Sequence, residues 1–254
     1  MSGGDRFRDF WKGLGPYLAV VGALLGLIFA EPDLGTGAAI LMAVGLLLFL
    51  AGLRLKHQII AILVAVPSLF IYIRMEQYRI DRVLTFIFPD RDPLGAGYHV
   101  RQSLIALGSG GVEGLGYAKG IQKLYFLPEP HNDFIFAVIG EELGLWGVLL
   151  MLLLFTVFFL KGVRIALRAD SQFGIYLGLG LVATIILQAL VNMSVVMSLL
   201  PTKGIPLPFI SAGGSSMLVM LIAVGVLLNI SRHGRRDAAA AALLGEESAP
   251  AHAK

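Results

Sequence analysis

Long apolar stretches alternate with polar segments along this chain. A helix needs roughly 20 mostly apolar residues to cross the hydrocarbon core of a bilayer. Stretches that approach this length occupy residues 14–30, 35–53, 58–73, 134–160, 173–199 and 212–230. Only helices and closed barrels satisfy backbone polar groups within lipid, and runs this long and uniformly apolar favour helices. The pattern therefore predicts an all-α, polytopic integral membrane bundle of about six transmembrane helices.

The composition supports a membrane protein and excludes several kinds of site. Of the 254 residues, 57% are hydrophobic and 15% are charged, whereas soluble domains are about 25% charged. The chain has no cysteine, which excludes disulfides, zinc–thiolate sites and thiol nucleophiles. The formal net charge is only +3, and Lys and Arg flank the apolar stretches. The charge therefore does not indicate a nucleic-acid partner.

The distribution of Lys and Arg predicts the orientation of the chain, because short cytoplasmic loops carry an excess of these residues. If the N-terminus is cytoplasmic, the cytoplasmic segments contain Arg6, Arg8 and Lys12; Arg54 and Lys56; Lys161, Arg164 and Arg168; and Arg232, Arg235 and Arg236. The short loops on the other side then contain only Lys203. We therefore expect a multi-pass protein with both termini in the cytoplasm and residues 74–133 outside.

Two segments fall outside the apolar pattern. We expect residues 1–236 to form the membrane domain and the Ala-rich residues 237–254 to be a disordered tail. The loop at residues 74–133 is too long for a plain connection, and residues 99–107 within it predict a short amphipathic helix on the membrane. Glycines at positions 108, 110, 111, 114, 116 and 120 predict a flexible stretch whose backbone can approach a ligand. These glycines match no nucleotide-binding fingerprint.

Residues 127–144 concentrate ionisable groups beside an apolar stretch. They are Glu129, His131, Asp133, Glu141 and Glu142. Such groups are costly in a membrane and usually face a bundle interior or a water-filled cavity. Asp133 suits a helix N-cap or a general base, and both roles are compatible. Glu141 and Glu142 require a basic partner or water, and a structural buried ion pair is the alternative to ligand binding for at least one of them.

Basic residues outside the apolar stretches suit a phosphate-bearing ligand. Lys203 lies in a Pro-rich segment, residues 200–208, where it is either a fixed ammonium group that binds phosphate or a lysine that snorkels to the interface. The other outer cations suited to phosphate are Arg79, Arg82 and Arg101, because guanidinium groups bind phosphate in a bidentate manner.

Further polar residues complete the candidate site. Gln122 and Lys123 end the glycine stretch just before the acidic cluster. Ser215 and Ser216 lie at the predicted start of the last helix, where small residues allow close packing or hydrogen bonds to a ligand. Gln188 and Asn192 are expected to bond across helices. Together these residues suit a lipid-linked, phosphate-bearing substrate. No zinc-type spacing is present, and a Mg²⁺ or Mn²⁺ ion held by carboxylates and a pyrophosphate is compatible but not indicated.

The sequence resembles the SEDS family, the FtsW/RodA peptidoglycan polymerases. The matching stretches are residues 31–36, 78–82, 92–98, 102–103, 122–123, 127–136, 140–144 and 200–216. The run Pro201-Thr202-Lys203-Gly204 is more similar to the FtsW branch. The sequence departs from the usual pattern at His99, Asn132 and Ala212. The family usually has ten spanning helices, of which this chain corresponds to the last six, so we expect the chain alone to be poorly active.

The resemblance implies a glycosyltransferase that polymerises lipid II at the outer face of the bacterial cytoplasmic membrane during division or elongation. It implies that Asp133 is the catalytic base, with a class B penicillin-binding protein, a transpeptidase, as partner within a division or elongation complex. Two alternatives stay open. One is a flippase for lipid II, which would need polar groups along the whole membrane path. The other is a non-catalytic scaffold for the transpeptidase, which would not need Asp133 or Lys203.

Overall fold

A computed structural model describes residues 15–30, 34–51, 53, 55–88, 95–127, 131–202 and 204–247. Within these ranges all regular structure is helical. The helices are α1 (Gly15–Ala30), α2 (Leu34–Leu50), α3 (Leu55–Arg74), α4 (Gln77–Ile87), α5 (Ala96–Gly110), α6 (Gln122–Tyr125), α7 (Ile135–Leu167), α8 (Gln172–Val196) and α9 (Gly214–Glu247). The predicted all-α membrane bundle is confirmed.

Each of the six predicted apolar segments contains a helix. Among the described residues, three helices are long and apolar enough to cross a membrane: Ile135–Leu167, Gln172–Val196 and Gly214–Arg232. Helices α1 and α2 contain shorter apolar runs, and α3 continues through Pro67. That the first three helices also span the membrane stays a prediction.

The core lies where α7 and α8 pack against each other and against the segments that connect them to their neighbours. Helix α5 packs across α7, α2 packs along α8, and α9 contacts both α7 and α8. The main cluster of buried apolar side chains includes Phe134, Phe136, Met193, Val196 and Leu207. It therefore joins the start of α7, the end of α8 and the Pro-rich segment that follows α8.

Helix α7 is broken at Gly144, where the sequence pattern predicts a continuous helix. The backbone of Gly144 has φ 61° and ψ −154°, a conformation that side chains other than glycine rarely adopt. A Cβ atom at this position would lie 2.4 Å from the amide nitrogen of Gly114 and 2.6 Å from the carbonyl oxygen of Val112. The break therefore lets the loop approach the helix backbone directly.

The long connection between α3 and α7 is packed against the bundle. The helix predicted at residues 99–107 is present and longer, at Ala96–Gly110. It is not simply a surface helix, because Ser103 is 0% exposed and its hydroxyl donates hydrogen bonds to the carbonyls of Val100 and Val196. Several glycines of the predicted flexible stretch instead make close backbone contacts with α7.

Helix α9 continues beyond the membrane domain to Glu247. Residues 248–254 lie outside the described part of the chain, and the disordered tail at residues 237–254 stays a prediction. Alanine has the highest helix propensity of all residues, and residues 238–242 are five consecutive alanines. This composition favours the helical backbone described as far as Glu247.

Candidate functional site

The turn at residues 131–134 leads into α7, and the segment after α8 fixes its backbone. The N–H group of Ala212 donates a hydrogen bond to the carbonyl of His131 at 2.9 Å. The hydroxyl of Ser211 donates to the carbonyl of Asn132 and accepts a bond from the N–H of Leu207 at 2.7 Å. The shape of this turn is therefore set by residues about 80 positions later in the chain.

Two amide side chains of α8 extend this network. The Asn192 side chain is 2% exposed, and its Nδ2 donates hydrogen bonds to the carbonyls of Asp133 at 2.8 Å and Ile205 at 2.7 Å. Gln188 donates to the carbonyl of Pro206 at 2.9 Å. Both were expected to bond across helices; instead, they bind backbone carbonyls of non-helical segments. Asn192 thereby links the Asp133 backbone to the Pro-rich segment.

The carboxylate of Asp133 lies against the backbone of Gly204. A Cβ atom built on Gly204 would be 2.8 Å from Oδ2 of Asp133, so any other residue at this position would force the carboxylate to shift. Phe134 occupies the N-cap position of α7, one residue after the N-cap predicted at Asp133. Asp133 is half-buried. Lys203, the neighbour of Gly204 in the chain, lies outside the described residues.

Glu141 binds backbone groups of the loop that precedes the site. It is 1% exposed, and its Oε1 accepts hydrogen bonds from the N–H groups of Ile121 at 2.9 Å and Gln122 at 3.1 Å. A buried carboxylate is stabilised by such donors, because hydrogen bonds compensate for lost hydration. Glu141 therefore has partners within its own chain, at the end of the glycine stretch.

Glu142 forms an ion pair with Lys123 and accepts a hydrogen bond from the N–H of Ala118 at 3.0 Å. The prediction that at least one of these carboxylates is in a buried ion pair is confirmed. The sequence also predicts a substrate-binding role for Glu141, Glu142, Gln122 and Lys123. The structure brings these four residues together, where they attach the loop to α7.

The predicted phosphate-binding arginines lie on α4 and α5. The guanidinium group of Arg79 donates a hydrogen bond to the carbonyl of Tyr72 at 2.9 Å and lies 3.7 Å from the centroid of the Tyr72 ring. Arg79 thus connects α4 to the end of α3, which fixes the direction of its side chain. Arg82 is half-buried and Arg101 is exposed.

A cavity of about 460 Å³ opens beside the Pro-rich segment. It is lined by Ile40, Ala43, Val44, Leu47, Thr184, Gln188, Gly204, Ile205, Pro206 and Ser216. Ser216 therefore lines a cavity that also reaches Gly204, and its role in ligand binding stays a prediction. Ser215 is exposed at the start of α9.

Two predicted substrate-binding residues come just before α7. His131 is exposed, and Glu129 lies outside the described residues. In the described parts of the chain, no group of three or more His, Cys, Asp or Glu side chains is placed to hold a metal ion. The need for Mg²⁺ or Mn²⁺ stays a prediction.

Three residues of the site were not identified from the sequence as parts of it. Asn192 was recognised only as a polar residue within an apolar stretch, while Gly204 and Ser211 belonged to motifs without an assigned contact. The signal for Asn192 was its burial cost, since a polar side chain in a membrane helix needs a partner. Nothing in the sequence identified the carbonyl of Asp133 as that partner.

Comparisons with known proteins agree with the resemblance. A family model described as "Cell cycle protein" (FTSW_RODA_SPOVE) matches residues 2–236. The chain is 42% identical over 230 residues to stage V sporulation protein E of Bacillus subtilis (strain 168), covering 91% of this chain and 63% of that protein. It is 43% identical over 227 residues to a probable peptidoglycan glycosyltransferase FtsW of Geobacter metallireducens, covering 89% and 60%.

A solved structure is also similar. This structure is described as "Structural coordination of polymerization and crosslinking by a peptidoglycan synthase complex". The TM-score is 0.71 at 26% sequence identity, and the match covers 88% of this chain and 62% of that one. The chain spans about three fifths of the length of the curated relatives it matches.

Proposed function

The chain belongs to the FtsW/RodA/SpoVE family, and from that membership we propose that it acts in a peptidoglycan glycosyltransferase that polymerises lipid II at the outer face of the cytoplasmic membrane. Two relatives, 43% and 44% identical to this chain, carry the name probable peptidoglycan glycosyltransferase FtsW. The observation that carries the proposal is the fixed position of Asp133 beside Gly204.

In the proposed reaction, Asp133 accepts the proton of an acceptor sugar hydroxyl. The hydroxyl oxygen attacks the anomeric carbon of the lipid-linked donor, and the bond to the donor's pyrophosphate breaks as the pyrophosphate leaves. General base catalysis of this kind contributes roughly 10²–10⁴ in rate and requires the base within hydrogen-bond reach. The hydrogen bonds to the carbonyls of residues 131–133 support the proposal, because they fix the backbone that carries the carboxylate.

The pyrophosphate of the donor requires cations near the base. Lys203 adjoins Gly204 in the chain, so its backbone is one residue from the contact with Asp133. Lys203 binds the pyrophosphate in this proposal, and Arg82 and Arg101 are further candidates. Arg79 is a candidate as well, and its contacts with the carbonyl and ring of Tyr72 fix the direction of its guanidinium group.

The proposal extends to the partner and the location. The similar solved structure is described as coordinating polymerization with crosslinking, and crosslinking of glycan strands is transpeptidase chemistry. A class B penicillin-binding protein is the corresponding partner of this chain. The protein then lies in the cytoplasmic membrane with both termini on the cytoplasmic side.

Substitution of Asp133 by Asn tests the proposal, because it keeps the size of the side chain and removes the base. With purified lipid II and the transpeptidase partner present, Asp133→Asn is expected to lower glycan formation at least about 100-fold. Expression, thermal stability and lipid II binding should stay near those of the parent protein. The matched control is Asp170→Asn, which changes an exposed aspartate between α7 and α8.

A stable Asp133→Asn protein that polymerises lipid II at the parent rate would contradict the catalytic role. If the protein is a flippase, the parent protein transports lipid II across the membrane of vesicles but forms no polymer, and Asp133→Asn loses that transport. A scaffold predicts no polymer and no effect of Asp133→Asn on transpeptidase recruitment.

A further inference from the structure

Charged residues flank the membrane-spanning part of α7 at both ends. Residues 143–160 carry no charged side chain and lie between Glu142 and Lys161. At 1.5 Å per residue this stretch is about 27 Å long, close to the roughly 30 Å of a bilayer's hydrocarbon core. Apolar side chains near its start are exposed on the protein, and Trp146 is 66% exposed. Glu142 therefore lies near the boundary of the hydrocarbon core.

The glycine-rich loop is attached to α7 at this level. The N–H of Leu145 donates a hydrogen bond to the carbonyl of Gly111 at 3.0 Å, and the N–H of Gly116 donates to the carbonyl of Glu142 at 2.9 Å. At Gly114 a Cβ atom would be 2.2 Å from the carbonyl oxygen of Glu142, so the two backbones are in direct contact. The depth of the loop is thus set by the break at Gly144.

The rest of the loop is held by carboxylates at the same level. Glu141 binds the N–H groups of Ile121 and Gln122, and Glu142 binds Lys123. A buried ion pair that loses one partner leaves an uncompensated charge, so these contacts resist displacement. Residues 111–126 therefore stay beside the start of the apolar stretch along their whole length.

The other side of this loop exposes large apolar side chains. They are Val112, Leu115, Tyr117, Ile121, Leu124 and Phe126, and Tyr117 is 84% exposed. Lys119 is exposed among them. In water such an apolar patch is costly. Aromatic and apolar side chains with a nearby lysine are typical of segments at the interface between lipid headgroups and acyl chains.

We propose that residues 111–126 form an interfacial platform that inserts its apolar side chains into the lipid leaflet next to the start of the spanning part of α7. The partner is the lipid bilayer, because the hydrogen bonds to Glu142 and Leu145 fix the loop at the depth where lipid begins. The platform holds the connection that leads to Asp133 at the membrane surface. The inference is independent of the reaction proposed for Asp133.

Fluorescence quenching tests this proposal directly, and the lack of cysteine in the chain makes single-cysteine labelling clean. Tyr117→Cys and Leu124→Cys are labelled with a polarity-sensitive fluorophore in vesicles of phosphatidylethanolamine and phosphatidylglycerol. Leu149→Cys, on the apolar stretch, and Asp170→Cys, in the exposed turn after α7, provide the lipid and water references. The labels at 117 and 124 are expected to be quenched by lipids with a nitroxide near the headgroup. Aqueous iodide should quench them at least about threefold less than the label at 170, as expected for an interfacial segment.

Two results would overturn the proposal. Quenching of both loop labels by iodide as strongly as at position 170 would place the loop in water. Shielding of both labels from iodide and from lipid nitroxides alike would identify a protein contact. A parallel variant tests the attachment: Lys123→Met should increase iodide quenching at 117 and 124, with Leu149→Cys unchanged. Lys161→Met, at the other end of the apolar stretch, is the matched control and should change none of the labels; equal effects of the two lysine variants would contradict the role of the ion pair.

Discussion

At the scale of single residues, the closest approach in the site is between Gly204 and the carboxylate of Asp133. Gly204→Ala would place a Cβ atom 2.8 Å from Oδ2 of Asp133, so the carboxylate must shift. A shift of about 1 Å in a positioned group can cost on the order of 100-fold in rate. We therefore expect Gly204→Ala to lower glycan formation at least about tenfold, measured with purified lipid II.

The control for Gly204→Ala is Gly214→Ala, where an added Cβ atom meets nothing within 4 Å. It should leave the polymerisation rate within about twofold of the parent rate, as for most surface substitutions. Equal loss in both variants would mean that Gly204 acts through general stability and not through the carboxylate.

The role of Lys203 leads to a second prediction at this scale. A hydrogen bond to a charged group contributes about 1.5–3 kcal/mol, and 1.4 kcal/mol corresponds to a factor of about ten. Lys203→Ala is therefore expected to lower activity at least about tenfold at low lipid II concentration, and Lys203→Arg should retain part of it. Normal polymerisation by Lys203→Ala would mean that the lysine serves only as an interfacial anchor. The control is Lys119→Ala, which should polymerise lipid II like the parent protein.

Contacts of single side chains were predictable from the sequence where an unpaired buried charge would be costly. The buried ion pair of Glu142 followed from the cost of an unpaired carboxylate, and Lys123 was close enough in the chain to be noticed. The bond from Asn192 to the carbonyl of Asp133 was not predictable, because any buried backbone carbonyl satisfies an amide side chain equally well. Such pairings depend on the three-dimensional packing of the segments.

At the scale of elements, the break in α7 controls how the loop meets the bundle. At Gly144 the backbone conformation is nearly restricted to glycine, and forcing another residue into it costs about 1–3 kcal/mol. An added Cβ atom would also meet the backbone of Gly114 at 2.4 Å. Gly144→Ala is therefore expected to destabilise the protein by more than about 2 kcal/mol, measured by unfolding in detergent.

The control substitution is Gly225→Ala in α9, where an added Cβ atom has open space. Alanine favours a helix interior over glycine by about 0.5–1 kcal/mol, so this variant should be neutral or more stable. A Gly144→Ala protein as stable as Gly225→Ala would show that the break is not required for folding.

The existence of the long helices could be predicted, but their interruptions and ends could not. The stretch around Gly144 has no proline, and the two carboxylates before it do not interrupt the apolar run for long enough to predict an end, so the pattern alone predicts a continuous helix. The break depends on contact with the loop at residues 112–114, which lie about 30 positions earlier.

At the scale of the whole molecule, the bias in Lys and Arg predicts which side each loop faces. In intact cells, a membrane-impermeant thiol reagent is expected to label Glu76→Cys directly and Asp170→Cys only after the cytoplasm is opened. Both positions are exposed on the protein and lie outside the interfacial platform, so accessibility reports the side of the membrane. The reverse labelling pattern would contradict the proposed orientation.

The fold class was predictable because the bilayer leaves few solutions for the backbone. The number of spanning helices was less certain, since only α7, α8 and α9 among the described helices meet both the length and the apolar composition. Helices α1 and α2 have shorter apolar runs, and the first turn of α3 contains Lys56 and His57. Their placement depends on neighbours that a hydrophobic pattern does not reveal.

The hydrogen bonds that fix residues 131–133 join positions that are translated far apart in time. The bond from Asn192 to Asp133 spans 59 positions, and that from Ser211 to Asn132 spans 79. At roughly 5–20 residues per second, the ribosome completes Ser211 about 4–16 s after Asn132. During that interval the segment with Asp133 lacks the bonds from Ser211 and Ala212. A nascent chain, or one truncated after α8, therefore enters the membrane without the full set of bonds that fixes residues 131–133.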